Sequence, residues 1–503
     1  MSPRLIMIQL GLVASVAQVG FAASQPGRSL RLLQNIQIEG GVEIVQYDQS
    51  TRRLHAIGAS GRMIFGLDDS GSAALLRTQT FSGTQQWDAT SLAIDPAGRG
   101  FAVVSWIPSP PDSMPGMAQV IDLRTGDPVW QLGIGYHPDC LMFSDDGQYL
   151  YAANECEPGT IDRPGGITVL DLSAIEMPSD FARLGFNDAN TYTLTDEYLA
   201  EGIDLTTLRI VSELIDTPGV NIEPEYIAPT MTGAWVSLQE NNGLGYFDLG
   251  SRTWTRVLPL VPLSFPFDGS ETDGPRVRSG EGFGLLPMPD TIEYVEIADH
   301  GYLILANEGE KSAIHELRLG EAIERGLIDA AAIERLTATY GDLHQSGLDR
   351  LYISTIDGDI DGDGDLDVLC PQGGRSVSIV DTETGVTVWN SGPQIELMTA
   401  MLFPEQYNSG DSRSDRAGPE PEGLALYQDG ERILLAVGLE RTNGVMLYDI
   451  ANPMAPELLD VIVIESGCLG PEGMCFYQHD DRLYLCVAAE LGGCLSIYEV
   501  VSE

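Results

Sequence analysis

Lysine is almost missing from this chain: Lys311 is the only one in 503 residues, and all basic side chains number 27 against 74 acidic ones, a net charge of -47. Nucleic acid and anionic membrane surfaces would be repelled by such a molecule, whereas cations would be attracted. The same density of carboxylates is what adaptation to salty surroundings produces. Histidine is scarce too. His55, His137, His300, His315, His344 and His479 are scattered and form no HExxH pair. No GxSxG elbow, phosphate loop or GxGxxG fingerprint is present, so the usual hydrolase and nucleotide-binding signatures are excluded. Seven cysteines show no zinc-finger spacing. Long apolar runs are confined to Leu5 to Phe21, which follows Arg4 and precedes Ala22-Ala23-Ser24. That pattern reads as a secretion signal over residues 1–23, too short and too soon polar for a membrane span. The C-terminal IYEVVSE has no apolar tail. A soluble chain, secreted or periplasmic, is expected.

What is present is a repeat. The stretch from Gly418 to Ile450 reads Pro421-Glu422, an apolar strand, a polar turn, a second strand ending at Glu440, then a third strand closing on Asp449. Such a meander cannot bury both faces alone and needs stacked copies. Four more copies open on Pro138-Asp139, Pro224-Glu225, Pro289-Asp290 and Pro471-Glu472. They reach their second acids at Glu155, Glu240, Glu308 and Glu490. From first acid to second the five spacings, in chain order, are 16, 15, 18, 18 and 18 residues. Weaker copies begin near Glu43 and Asp88, with the strand pattern but degenerate acids. The fold expected is all-β: one seven-bladed β-propeller over residues 30–503. The last repeat stops after three strands, and Leu30 to Ile38 alternates like a strand before the first repeat. Pairing that N-terminal strand with the one ending near Val500 would close the ring and remove its edges.

Two stretches fall outside the blades. Ser173 to Asn221 reads as a long loop packed on one face. An insertion of about residues 311–372 in blade 5 has helical spacing from Lys311 to Gly341, with Leu317, Ile323, Leu327, Ala331 and Leu336 on one side. Behind it, DGDIDGDGDLD places Asp359, Asp361, Asp363, Asp365 and Asp367 at positions 1, 3, 5, 7 and 9 of a calcium loop, with Gly364 at the turn. Cys370 stands where a helix-loop-helix hand has Glu, so this is a short calcium loop between strands. Disulfides are credible within blades, Cys140 with Cys156 and Cys475 with Cys486, leaving Cys370 as the odd cysteine.

In an antiparallel blade the end of the second strand lies beside the start of the first. Asp139, Glu155, Glu225, Glu240, Asp290, Glu308, Glu422, Glu440, Glu472 and Glu490 are therefore expected to crowd one mouth of the central channel. Carboxylates so close need cations or arginines as compensation, and Arg375 and Arg441 are candidates, also as anion contacts. Two roles stay open for these acids. They hold a divalent cation or ligand, or they clamp the ring by accepting backbone N–H bonds from the next blade. Glu155 and Glu308, with Glu157 and Glu310 beside them, are the expected metal-type pair.

The segments YHPDCLMFSDDGQYLYAANECEPG, IEPEYIA, ILANEGE, DGDGDLD, GGRSVSI, GPEPEGLAL and VGLERTNGVMLYDI together resemble the choice-of-anchor I family, over roughly Gly41 to Glu503. That family includes mesenchyme-specific cell-surface glycoproteins associated with biomineral formation, and some bacterial relatives are labelled alkaline phosphatases. The resemblance implies a calcium-rich extracellular propeller of seven YVTN-like blades. Two functions follow from it and from the acids. One is a calcium-binding protein attached to matrix, mineral or another extracellular ligand. The other is a metal-dependent phosphoesterase in which cations at the mouth activate water.

Overall fold

The computed structural model describes residues 28–58, 61–79, 87–110, 113–156, 163–185, 189–211, 218–310, 315–464 and 467–502. The expected secretion signal, Glu157 and Lys311 lie outside them. Seven four-stranded antiparallel sheets form, each with its strands in radial order. The inner strands are Ile44–Asp48, Trp87–Ile94, Pro138–Phe143, Pro224–Thr230, Ile292–Ile297, Pro421–Asp429 and Pro471–His479. Each touches the inner strand of the next blade, and the seventh touches the first, so the ring is closed.

Closure is made by the strand that the sequence places ahead of the repeats. Arg28–Gln37 pairs antiparallel with Cys494–Ser502, from Arg28 opposite Ser502 to Gln37 opposite Cys494, with one register shift between Leu32 and Gln34. Second strands are mostly apolar because both of their faces are covered: every residue of Phe101–Pro108 and of Gly233–Leu238 is buried. The core lies between blades. Tyr151, Ala153 and Ile167 of blade 3 pack on Ile227, Ala234 and Val236 of blade 4, and Tyr477, Tyr484 and Leu495 of blade 7 pack on Val45, Leu54 and Phe65 of blade 1.

The insertions depart from expectation in three ways. The helical stretch is two helices, Leu319–Glu324 and Ala330–Tyr340, because the chain turns through Gly326 at φ 69 between them. Leu317 belongs to a short strand, Glu316–Arg318, and Ala331 is exposed; the buried residues are Leu319, Ala322, Ile328, Ala332 and Leu336. Ser173 to Asn221 is not all loop, since Asn190–Thr193 is the outer strand of blade 3. Two further segments leave the blades: residues 260–291 before blade 5, and residues 391–420 after it, which contain the helix Gln394–Leu402. Phe267, Phe283 and Leu285 of the first share one core with Leu336, Leu351, Ile353 and Leu369 of the blade 5 insertion.

Arg375 ties these segments together. It is fully buried, pairs with Glu396 at 2.8 Å, and donates to the carbonyls of Asp268 at 2.6 Å, Ser414 at 2.8 Å and Arg416. This corrects the expectation of an anion contact: the guanidinium is enclosed and already committed. The disulfide also differs from expectation. Cys468 is bonded to Cys494, while Cys140, Cys156, Cys370, Cys475 and Cys486 are free. The bridged pair joins the loop ahead of blade 7 to the start of its third strand, a proximity that only the folded blade creates.

Removing one partner of a buried ion pair leaves an uncompensated charge and costs about 3–5 kcal/mol. Arg375→Met should lower the thermal midpoint clearly, and Arg375→Met with Glu396→Met should recover much of the loss. A single variant that melts with the parent would show that the pair does not hold the insertions.

Candidate cation site at the channel mouth

The mouth is built by a bulge that recurs from blade to blade. In blades 3, 4, 6 and 7 the register between first and second strands shifts by one residue at Pro138/Leu141, Pro224/Ile227, Pro421/Leu424 and Pro471/Met474. Asp139, Glu225, Glu422 and Glu472 sit inside those bulges, where an extra residue re-aims its side chain. The proline just before them has no N–H to leave unpaired. In blades 6 and 7 a following glycine lets the inner strands converge: a Cβ on Gly423 would lie 1.7 Å from the Glu472 carbonyl oxygen, and one on Gly473 would lie 2.3 Å from that of Glu43. In these two blades Pro-Glu-Gly is thus a device for bringing carboxylates from adjacent blades close together.

The second acid of each repeat arrives beside the first. Backbone N–H groups of Glu155, Glu440 and Glu490 donate to the carbonyls of His137, Glu420 and Gly470 at 3.0, 3.0 and 2.9 Å. Buried Asn154 and Asn307 anchor the strand ends just before Glu155 and Glu308; Asn307 donates to the hydroxyls of Ser376 at 3.1 Å and Ser378 at 2.8 Å. All ten expected acids meet at one opening. Glu308 feels Glu422, Asp290 and Glu440; Glu472 feels Glu490 and Asp290; Glu225 feels Glu240, Asp290, Glu155 and Asp139.

Two carboxylate sets share Glu308. Asp290, Glu308 and Glu422 bring ligand oxygens within 4.8 Å of one another, and so do Glu308, Glu420 and Glu440. Glu420 is held by Arg413 Nε at 2.8 Å and by Arg441 Nε at 2.6 Å, and Arg441 also pairs with Glu440 at 2.7 Å. A cavity of about 230 Å³ opens beside them, lined in part by Gln372. The Gln372 side chain is 5% exposed, and neither its oxygen nor its nitrogen has a hydrogen-bond partner. Oε2 of Glu225, Glu240, Glu422 and Glu472 is likewise without a donor. Among the described residues, none of the ten acids accepts a backbone N–H from a neighbouring blade. Gln239 donates to Glu308 at 2.8 Å, and Thr291 to Asp290 at 3.2 Å.

Burial dominates the electrostatics. It pushes Asp139 up to about 8, with the charge of Glu155 adding and His137 opposing. Burial likewise raises Asp290 to about 7, Glu43 to about 7 with help from Glu490, and Glu440 to about 7 against the pull of Arg441. Glu225, Glu240, Glu308, Glu422 and Glu472 lie well above the usual carboxylate range for the same reason, their carboxylate neighbours adding to it.

Sequence reasoning missed several members of this ring. Glu43 stands where blade 1 should have its Pro-acid, but Val42 replaces the proline, so that acid is present rather than degenerate. Glu223, Glu420, Arg413 and Gln372 were not singled out; the tandem Glu-Pro-Glu of blades 4 and 6 was the available signal for the first two. On the aspartate loop, Asp359, Asp361 and Asp367 bring oxygens within 4.8 Å, while Asp363 and Asp365 stay outside that set. Asp359 accepts from the N–H groups of Gly362 at 2.7 Å and Gly364 at 3.0 Å, and Asp367 from that of Ile360 at 2.9 Å, so the loop wraps on itself.

Carboxyls of an unfolded chain lose their protons near pH 4 to 4.5, roughly. Those of Asp290, Glu440 and Glu43 hold theirs to about 7, and that of Asp139 to about 8. Between these limits the folded chain binds more protons than the unfolded one, so stability must fall as pH rises, levelling above about 8. In chelator the thermal midpoint should therefore drop from about pH 5 to about pH 8, and a divalent cation should restore it most at the alkaline end. A midpoint that climbs over this window in chelator would contradict the assignment.

Residues 43–453 match the choice-of-anchor I domain. Gigasin-3a of Magallana gigas is 34% identical over 130 residues, which are 24% of this chain and 45% of that protein. The mesenchyme-specific cell surface glycoprotein of Strongylocentrotus purpuratus is 27% identical over 221 residues, 37% of this chain and 28% of that protein. The chain thus spans less than half the length of either relative. Among solved structures, the β-propeller domain of Myceliophteria thermophila Cps50 (Swd1) is 10% identical with a TM-score of 0.46, covering 94% of this chain and all of that one. Kuenenia stuttgartiensis hydrazine synthase is 11% identical with a TM-score of 0.46, covering 97% of this chain and all of that one. With a seven-bladed ring and a domain match over most of its length, the chain belongs to the choice-of-anchor I family.

Proposed function

We propose that this chain is an exported propeller that binds divalent cations at its channel mouth and uses them, with its acidic surface, to attach to an extracellular matrix, mineral or partner. The observation that carries this reading is Glu308, common to two carboxylate sets whose oxygens lie within 4.8 Å of one another. Oxygen donors at that spacing suit a hard cation such as Ca²⁺, which also accepts neutral amide oxygens like that of Gln372. Five carboxyls, of Glu308, Glu420, Glu440, Asp290 and Glu422, face only the two charges of Arg413 and Arg441, and burial holds Glu308, Glu440, Asp290 and Glu422 toward their protonated forms, so a cation there would bind in exchange for protons. The aspartate loop offers a second site of the same chemistry through Asp359, Asp361 and Asp367.

Export is supported by the family and by a relative whose name places it at a cell surface. Among the described residues no helix is long and apolar enough to cross a membrane. Binding is favoured over phosphoester hydrolysis because Arg413 and Arg441 are both spent on Glu420, which leaves neither as a free clamp for a transferring phosphoryl group.

Calcium titration of the purified chain, read by calorimetry and melting, tests the proposal. A bound ligand adds RT ln(1 + [L]/Kd), about 2.7 kcal/mol at a hundredfold excess over Kd. Glu308→Gln should weaken calcium binding at the mouth by about tenfold or more and leave the loop site intact. Asp361→Ala with Asp363→Ala should do the reverse. Equal midpoints in calcium and in chelator would overturn the reading, and calcium-dependent phosphomonoester hydrolysis lost in Glu308→Gln would replace it by the enzymatic one.

A further inference from the structure

Two blades before Asp290 of the Glu308 centre lies a cluster of different chemistry. On blade 3, His137, Asp139 and Glu155 each bring one ligand atom within 4.8 Å of the others. His137 and Asp139 flank Pro138 at the bulge, and Glu155 closes the second strand beside them. His137 Nδ1 lies 3.0 Å from Glu155 Oε2, and each of these two side chains is 14% exposed, so both line the mouth rather than project into solvent. A fourth group comes from blade 4. Glu225 is 7% exposed, its Oε2 has no hydrogen-bond donor, and it faces the charges of Glu155 and Asp139.

Three carboxyls crowd one imidazole, which can pair with only one of them. The contact of His137 with Glu155 leaves Glu225 Oε2 unsatisfied. A divalent ion would displace the carboxyl protons and give that oxygen a partner. Which ion is decided by the nitrogen. Ca²⁺ and Mg²⁺ take oxygen ligands, whereas imidazole suits first-row transition ions. One histidine and two carboxylates amount to three protein ligands, which leaves a fourth position for the Glu225 carboxylate. The bulge fixes two of the ligands in one short segment of backbone, and the bond from the Glu155 N–H to the His137 carbonyl, at 3.0 Å, holds the third in register.

We propose that His137, Asp139 and Glu155 form a binding site for a first-row divalent transition metal, with Glu225 as the neighbouring carboxylate at its fourth position. The site shares no residue with the Glu308 centre and stands whether or not that centre binds calcium.

The test uses the full chain, stripped with chelator, dialysed into excess Ca²⁺, then titrated with Co²⁺ and with Zn²⁺. One equivalent of Co²⁺ should bind with visible d–d absorption and be displaced by Zn²⁺. X-ray absorption at the zinc edge should show one imidazole in the coordination shell. His137→Gln should weaken Co²⁺ binding by about tenfold or more and abolish that imidazole signal with unchanged circular dichroism. Glu308→Gln should keep the Co²⁺ equivalent while losing calcium affinity, which separates the two sites. The proposal is overturned if bound zinc has an all-oxygen shell, if His137→Gln binds Co²⁺ like the parent, or if Ca²⁺ displaces Co²⁺ at similar concentration. Should His137→Gln fail to fold, X-ray absorption on the parent chain decides alone.

Discussion

Every blade of this propeller is a sheet whose two faces are both apolar, and neither can be left in water. The only arrangement that covers all of them is a closed ring, so the pairing of Arg28–Gln37 with Cys494–Ser502 is the contact on which the rest depends. Without it blade 7 would have three strands, and the packing of Tyr477 and Tyr484 against Leu54 and Phe65 of blade 1 would have to hold the ring against an open edge. Closure also sets the radius of the channel. Gly423 and Gly473 let inner strands touch backbone to backbone, and the carboxylates in the bulges are forced together as a consequence.

That crowding turns a fold requirement into chemistry. Water would keep these groups ionised; at the mouth, burial and mutual repulsion favour the protonated forms instead. Arg413 and Arg441 relieve part of the repulsion around Glu420 and Glu440, but Glu225, Glu422 and Glu472 keep oxygens without donors. Under the proposed function, a ring poised in this way would exchange protons for cations. The chemistry then divides by donor type: oxygen only around Glu308, one nitrogen at His137.

The repeat was readable from the chain because its signal is local. Pro-acid, strand, turn, strand and Glu recur at nearly constant spacing, and the antiparallel pairing of adjacent strands places both acids at one end. The aspartate loop was readable for the same reason, though only Asp359, Asp361 and Asp367 bring oxygens within 4.8 Å of one another. Glu43 escaped notice because blade 1 lacks the proline that marks the position elsewhere. The role of Arg375 was misread because its partners come from Asp268, Glu396 and Ser414, segments far apart in sequence that meet only when the insertions pack.

By itself the sequence determined the all-β class, the number of blades, the strand that closes the ring and the identity of the acids at its mouth. Each of these rests on periodicity and on neighbours within one hairpin, which short-range geometry dictates. The tertiary structure alone decided which carboxylates bring oxygens within 4.8 Å of one another, which arginines pair with them, and that Cys468 rather than Cys475 carries a disulfide. Those outcomes depend on distances between blades and between insertions. No local rule sets such distances; ring closure and core packing do.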